Sequence, residues 1–136
     1  RLRQLSQSSE LFSSSNEILF LIEKMQLGHF SIPKGHVENN ETNLETALRE
    51  IQEETGLDVI YHDGFEIMKT YSPKIGTLKD VYFYCFETKS LSVVPQEIEV
   101  NSIYFLNYDE AYKILTYDTD KDVLEKAYNF IKQIIK

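Results

Sequence analysis

The chain has one cysteine, Cys85, so no disulfide can form within it. It has no run of lysine or arginine: 14 basic residues stand against 22 acidic ones, for a formal net charge of −8. Sequence-independent binding to duplex nucleic acid depends on basic side chains meeting phosphates, so that role is not expected. No stretch approaches the roughly 20 apolar residues of a membrane-spanning helix, and the N-terminal segment lacks the apolar core of a secretory signal. A reducing, cytoplasmic setting away from membranes is the expectation. Tryptophan is absent and only five glycines occur, which excludes nothing.

What is present suits one compact domain over residues 1–136. The 136 residues are 42% hydrophobic and include nine Tyr and eight Phe, enough apolar surface for a single core and too much for low-complexity disorder. Residues 1–16 are polar and Ser-rich and predict a partly mobile arm, with a short strand around Leu11 and Phe12 as the alternative. Residues 17–23 (EILFLIE) read as a buried strand. Two strand segments follow at 59–62 and 65–71, then a turn marked by Pro73 and Gly76. Residues 81–87 (VYFYCFE) are aromatic and β-prone and predict a central strand, where Cys85 reads as a small buried hydrophobe. A shorter strand at 103–106 precedes helices at 109–115 and 120–135. With no repeat and no internal linker, the expected class is α/β, a mixed sheet between helices.

The clearest element is a helix after Pro33 and Gly35. Thr42 and Glu45 fit a capping box, in which each side chain satisfies a backbone donor at the helix start. Leu44, Ala47, Leu48 and Ile51 recur at helical spacing, and Gly56 sits where a left-handed C-cap belongs. Glu50, Glu53 and Glu54 stand at i, i+3 and i+4, so the three carboxylates share a face. At about 100° per residue, that face is centred roughly 110–120° from the apolar stripe. Like charges so placed cost about 0.2–0.5 kcal/mol per pair. The bland alternative is a solvated acidic face, but such a face usually intersperses lysine and this one has none. Hard divalent cations, which prefer carboxylate oxygens, would offset the repulsion.

The surroundings decide between the two. The stretch GHVENNETNLETALREIQEETGL carries Gly35, Glu41, Arg49, Glu50, Ile51, Glu53, Glu54, Gly56 and Leu57 at fixed spacings. Read together, these resemble the full signature of the Nudix hydrolase family. The resemblance implies a Nudix fold. It implies that Glu50, Glu53 and Glu54 are metal-binding and catalytic carboxylates, and that the backbone of Gly35 approaches the metal site. Arg49, counted with the catalytic set, and Glu41 would form an ion pair that ties loop to helix. The implied chemistry is attack of a metal-activated water on phosphorus, with a carboxylate accepting the proton. The implied cofactor is Mg2+, with Mn2+ as a substitute.

The flanks resemble one subfamily, the asymmetrically cleaving diadenosine tetraphosphate hydrolases. Residues 30–38 (FSIPKGHVE) are similar to their W-x-x-P-K-G-H-x-E loop, in which Lys34 and His36 would contact a phosphate chain. Glu99, six residues before Phe105, matches an additional acidic residue that those enzymes use near the metals; Glu97 shares its face if the register shifts. Tyr71 and Phe83 resemble the base-contacting aromatics, with Tyr82 and Tyr84 taking over if the register slips by one. The implied reaction is diadenosine tetraphosphate to ATP and AMP, on a small-molecule nucleotide, by a monomer.

The sequence also departs from the pattern. The region of the Gly-Ala-rich first strand of many Nudix proteins reads SSELFSSSN and is a weak or altered strand, the loop tryptophan is Phe30, and the glycine that often precedes Glu41 is Asn40. Two alternatives therefore stand. One is a Nudix pyrophosphohydrolase of nucleoside triphosphates, RNA 5′ ends or diphosphoinositol polyphosphates. The other is a non-catalytic nucleotide-binding module, which would be expected to lose the signature carboxylates that this chain keeps.

Overall fold

Alternation along the aromatic run at Phe83 builds the strand around which both layers of the molecule assemble. The computed structural model describes residues 2–6, 18–33, 40–72, 75–88 and 100–134. In chain order these form β1 (Leu2–Ser6), β2 (Ile18–Met25), β3 (Phe30–Ser31), α1 (Asn43–Thr55), β4 (Ile60–Tyr71), β5 (Lys79–Thr88), β6 (Val100–Leu106), α2 (Tyr108–Ile114) and α3 (Asp118–Ile134). The strands make one six-stranded mixed sheet in the order β3-β2-β1-β5-β4, with β6 paired to β2. Among the described residues, only the β1–β5 pairing is parallel.

Successive residues of β5 point to opposite faces, and each face is covered. Val81, Phe83 and Cys85 join Phe20, Ile22 and Phe65 under Ala111, Leu115, Val123, Leu124, Ala127 and Ile131 of the α2–α3 region. Tyr84 and Phe86 pack instead against Ala47 and Ile51 of α1. The architecture is α/β with helices on both sides of the sheet, the expected class. Cys85 is buried, and burial pushes its thiol up to about 12.

The α1 boundaries follow the sequence closely. The Thr42 side chain accepts from Glu45 N at 3.1 Å, and Glu45 Oε1 accepts from Thr42 N at 2.7 Å. Gly56 closes the helix in the left-handed region at φ 69°. Asn40 is left-handed too, at φ 68°. Asparagine is among the few residues that tolerate this conformation, so it can stand where related loops carry glycine.

Elsewhere the structure corrects the sequence expectations. Leu2–Ser6 is no mobile arm but an inner strand, paired to Ile18–Phe20 of β2 and to Cys85–Thr88 of β5. Two flanking strands supply its hydrogen bonds, a tertiary effect that local propensity does not carry. Leu11 and Phe12 lie outside the described residues. The two segments at 59–62 and 65–71 merge into β4, with a bulge between His62 and Glu66. Gly64 takes φ +103° there, and a Cβ on it would meet the Phe130 ring at 3.5 Å. The stripe of α1 also turns slightly: Leu48 is 39% exposed, while Ala47, Ile51, Glu54 and Thr55 are buried.

Candidate active site

The register of β1 opens a cleft. Among the described residues, β1 covers β2 only from Ile18 to Phe20 and β5 only from Cys85 to Thr88. Beyond its N-terminal end, Glu23 and Met25 of β2 face Lys79 and Val81 of β5 across a cavity of about 490 Å³. Glu54 of α1 lines it, as do Tyr71 at the end of β4 and His29 in the β2–β3 hairpin. Tyr117 and Thr119, before and within the first turn of α3, complete the opposite wall.

On the α1 wall, the acidic face of the helix is gathered by one guanidinium. Arg49 Nε donates to Glu41 Oε2 at 2.6 Å and its Nη2 to Glu41 Oε1 at 3.1 Å, a two-pronged pair. Arg49 Nη1 donates to Glu50 Oε1 at 3.1 Å and to Glu53 Oε1 at 2.7 Å. Thr46 Oγ1 adds a bond to Glu41 Oε1 at 3.1 Å. The fixed fork of arginine suits such bidentate pairing, and the arrangement offsets repulsion along the helix. Glu54 differs: it is 6% exposed and turned to the cleft, whereas the Glu53 side chain is 42% exposed.

Lys79 reaches toward this wall from β5. Burial pushes its ammonium below its ordinary value, and the nearby Glu50 carboxylate opposes that shift. The cleft therefore holds a positive group close to an acidic one, in partly dry surroundings where their attraction is stronger than in water. On the far wall, the Tyr71 hydroxyl donates to Asp120 Oδ1 at 3.1 Å. Burial, reinforced by the Asp120 carboxylate, holds that hydroxyl well above the ordinary tyrosine range, so it remains a donor. His29 and Tyr117 meet edge to face with ring centroids 5.7 Å apart, an aromatic corner at the mouth.

A divalent metal is tested here by donor chemistry. Three glutamates on one helix face offer hard oxygen donors of the kind Mg2+ takes, so the residue types fit. Among the described residues, no three His, Cys, Asp or Glu side chains yet converge as a ligand group. Arg49 engages both Glu50 and Glu53, and a carboxylate, with two oxygens, can accept from a guanidinium and still offer a lone pair to a metal beside Glu54.

The sequence-predicted residues divide into three sets. Glu41, Arg49, Glu50, Glu53 and Glu54 come together on α1 and at its approach, with Gly56 as the helix cap, and Tyr71 lines the cleft. Phe83 does not: it is 0% exposed in the core beneath α2 and α3, where no base can stack on it. A slipped register would not restore the role, because Tyr84 is buried under α1 and Tyr82 packs partly against the same cluster. The third set, Lys34, Gly35, His36 and Glu99, lies outside the described residues, as does Glu97. Sequence reasoning missed Lys79, Glu23, His29, Tyr117 and Asp120. Glu23 did leave a signal, an acid that closes the apolar run of residues 18–22. The others come from a loop, a hairpin, a strand end and the first turn of α3, whose meeting is set by the fold.

Comparisons with known proteins bear on the family of the chain. The model of the NUDIX domain matches residues 9–127. The bis(5'-nucleosyl)-tetraphosphatase [asymmetrical] of Rattus norvegicus is 33% identical over 119 residues, covering 85% of this chain and 80% of that protein. Its counterpart from Sus scrofa is 31% identical over 121 residues, with the same 85% and 80% coverage. Among solved structures, a C. elegans Ap4A hydrolase in binary complex superposes with a TM-score of 0.80 at 20% identity, covering 98% of this chain and 99% of that one, a likeness of fold. Nudix hydrolases as a class depend on divalent metal. With the signature on α1, the layered sheet and these matches in hand, the chain belongs to the Nudix hydrolase family.

Proposed function

We propose that this enzyme hydrolyses dinucleoside polyphosphates, with diadenosine tetraphosphate cut to ATP and AMP. The observation that carries the reading is the pairing of walls across one cleft: buried Glu54 on the acidic face of α1, opposite Tyr71, Tyr117, His29 and Lys79. An acidic face that can hold a hard cation next to a lysine and an aromatic corner suits a chain of phosphates ending in a base. The relatives from Rattus norvegicus and Sus scrofa bear the name of this activity, and they support the assignment.

In this reading the carboxylates of Glu50, Glu53 and Glu54 hold Mg2+, or Mn2+ in its place, and Glu99 adds a further acid. Bound there, the metal would make water a stronger nucleophile at neutral pH and neutralise charge on the phosphate oxygens. A glutamate accepts the proton of the attacking water. The P–O bond to the bridging oxygen breaks, and the departing nucleotide carries away that oxygen. Lys79 and the loop residues Lys34 and His36 bind phosphate oxygens, and Gly35 lets the loop backbone come close. Arg49 and Glu41 position the helix and touch no substrate. Tyr71 and the His29–Tyr117 corner orient the nucleoside. The proposal extends to one domain over the whole chain, acting as a monomer in the reducing cytoplasm.

The test is product analysis with magnesium on a panel of diadenosine tetraphosphate, diadenosine triphosphate, dNTPs, a diphosphoinositol polyphosphate and 5′-triphosphate RNA. ATP plus AMP from the tetraphosphate, with the rest slower by tenfold or more, is expected. Faster cleavage of another member would keep the reaction and overturn the substrate.

A further inference from the structure

Asp120 is the third residue of α3 and has 0% exposure. A buried carboxylate is costly unless it is well bonded, and two partners reach it from distant parts of the chain. The Tyr71 hydroxyl donates to Oδ1 at 3.1 Å. The Ile32 amide makes a longer bond to Oδ2 at 3.5 Å. The first turn of a helix, with its unpaired backbone amides, also favours an anion there. Each carboxylate oxygen thus serves a different segment.

Both segments matter to the cleft. Tyr71 is the last residue of β4 and lines it, and Thr119 beside Asp120 does too. Ile32 directly precedes Pro33 and the residues 34–36 that carry Lys34, Gly35 and His36. The same stretch of chain is fastened to β3 a second time. Phe30 N donates to Thr116 Oγ1 at 2.9 Å, and Thr116 N donates to Phe30 O at 3.1 Å. The link into α3 therefore runs along β3 as a strap, with Tyr117 held in the cleft wall between its two fastenings.

We propose that Asp120 is a positioning residue for nucleotide binding, fixing the Tyr71 ring and the Ile32 backbone to one another without touching the nucleotide. The inference rests on the reading of the cleft as a nucleotide site. It goes further in making affinity depend on a carboxylate behind the wall. Asp120 belongs to α3 and the three signature carboxylates to α1, so binding and chemistry should separate when it is changed.

Asp120→Asn is the sharp probe. The amide has the same shape but one oxygen, so it can accept from Tyr71 or from Ile32 and must set an NH2 against the other donor. The expected result is a KM for diadenosine tetraphosphate raised roughly tenfold, the scale of one lost bond to a charged group, with kcat within about twofold. Tyr71→Phe should raise KM similarly. The double variant should be no worse than the worse single one, as for residues in one network. A parental KM in both single variants, losses that multiply in the double variant, or a fall in kcat at unchanged KM would each overturn the proposal. Amide exchange at Ile32, followed by NMR, reads the same positioning without turnover. It should quicken in Asp120→Asn, and an unchanged rate sinks the proposal even if the parent protein cleaves none of the panel. A parent that cleaves nothing while the exchange rate does quicken would overturn the substrate reading alone. Should Asp120→Asn fail to fold, Tyr71→Phe carries the KM and exchange measurements by itself.

Discussion

On the α1 side of the cleft, the ion pairs of Arg49 reach Glu41, Glu50 and Glu53, all within eight residues of it in sequence. On the α3 side, Asp120 bonds to Tyr71 and Ile32 across 49 and 88 residues, and Asp122 bonds to Lys69 across 53. The first wall is made by one helix and the loop that enters it, so it would keep its order in a partly formed fold. The second exists only once β3, β4 and α3 have docked. In the proposed function, chemistry falls on the locally built wall and recognition on the assembled one. Changes to the first should strike the rate, and changes to the second the fit of the substrate or the stability of the docking.

Glu54→Gln should break the comparison most severely. Glu54 is the signature carboxylate that is buried and turned to the cleft, and the amide removes its charge while keeping its shape. We expect kcat to fall by roughly 100-fold or more, the range for losing a group that takes part in proton transfer, with Tm nearly unchanged. Steady-state kinetics with saturating magnesium reads it. A variant that hydrolyses at the parental rate would remove Glu54 from the site and leave α1 as a merely structural wall.

Arg49→Lys asks whether the local wall works by charge or by shape. Lysine keeps the positive charge but cannot hold Glu41 by two bonds while also reaching Glu50 and Glu53. Side chains that orient metal ligands typically cost about 10–100-fold when replaced, and we expect a loss in that range. Part of it should appear as a higher magnesium requirement, read from activity against magnesium concentration. Full activity at the parental magnesium concentration would show that charge alone suffices.

The same contrast explains which parts of the molecule could be read from the sequence. The capping box of Thr42 and Glu45, the cap at Gly56 and the acidic face of α1 are local patterns, and they appear in the structure where the spacing put them. Asp120 looked like an ordinary residue of a helix start, because Tyr71 and Ile32 stand far away in the chain. Phe83 was misread for a related reason. Its side-chain direction is fixed by alternation, but whether that direction meets a cleft or a core depends on α2 and α3 docking over it. Leu2–Ser6 is the extreme case, a weakly patterned segment that becomes a strand because β2 and β5 offer their edges.

Asp122→Asn gives the smallest effect and tests whether the assembled wall is held by charge as well as by bonds. The Asp122 carboxylate accepts from Lys69 of β4 and, within α3, from Lys126 at 2.9 Å, and these bonds hold it below its ordinary value. A depressed carboxylate stabilises the fold above the pKa it has when unfolded, about 3.9 for aspartate. That contribution is lost as pH falls through the lower folded value. The pair is part-exposed, at 23% for Lys69 and 35% for Asp122, so solvent screens it, and less than about 1 kcal/mol at pH 7 is expected. Chemical denaturation of parent and variant should show a gap near neutral pH that closes as pH drops below about 4 and that narrows in about 1 M salt, where screening acts within ~3 Å. A gap that persists unchanged at low pH would mean that Asp122 holds α3 to β4 by packing, and the assembled wall would then depend on Asp120 alone for its charged fastening.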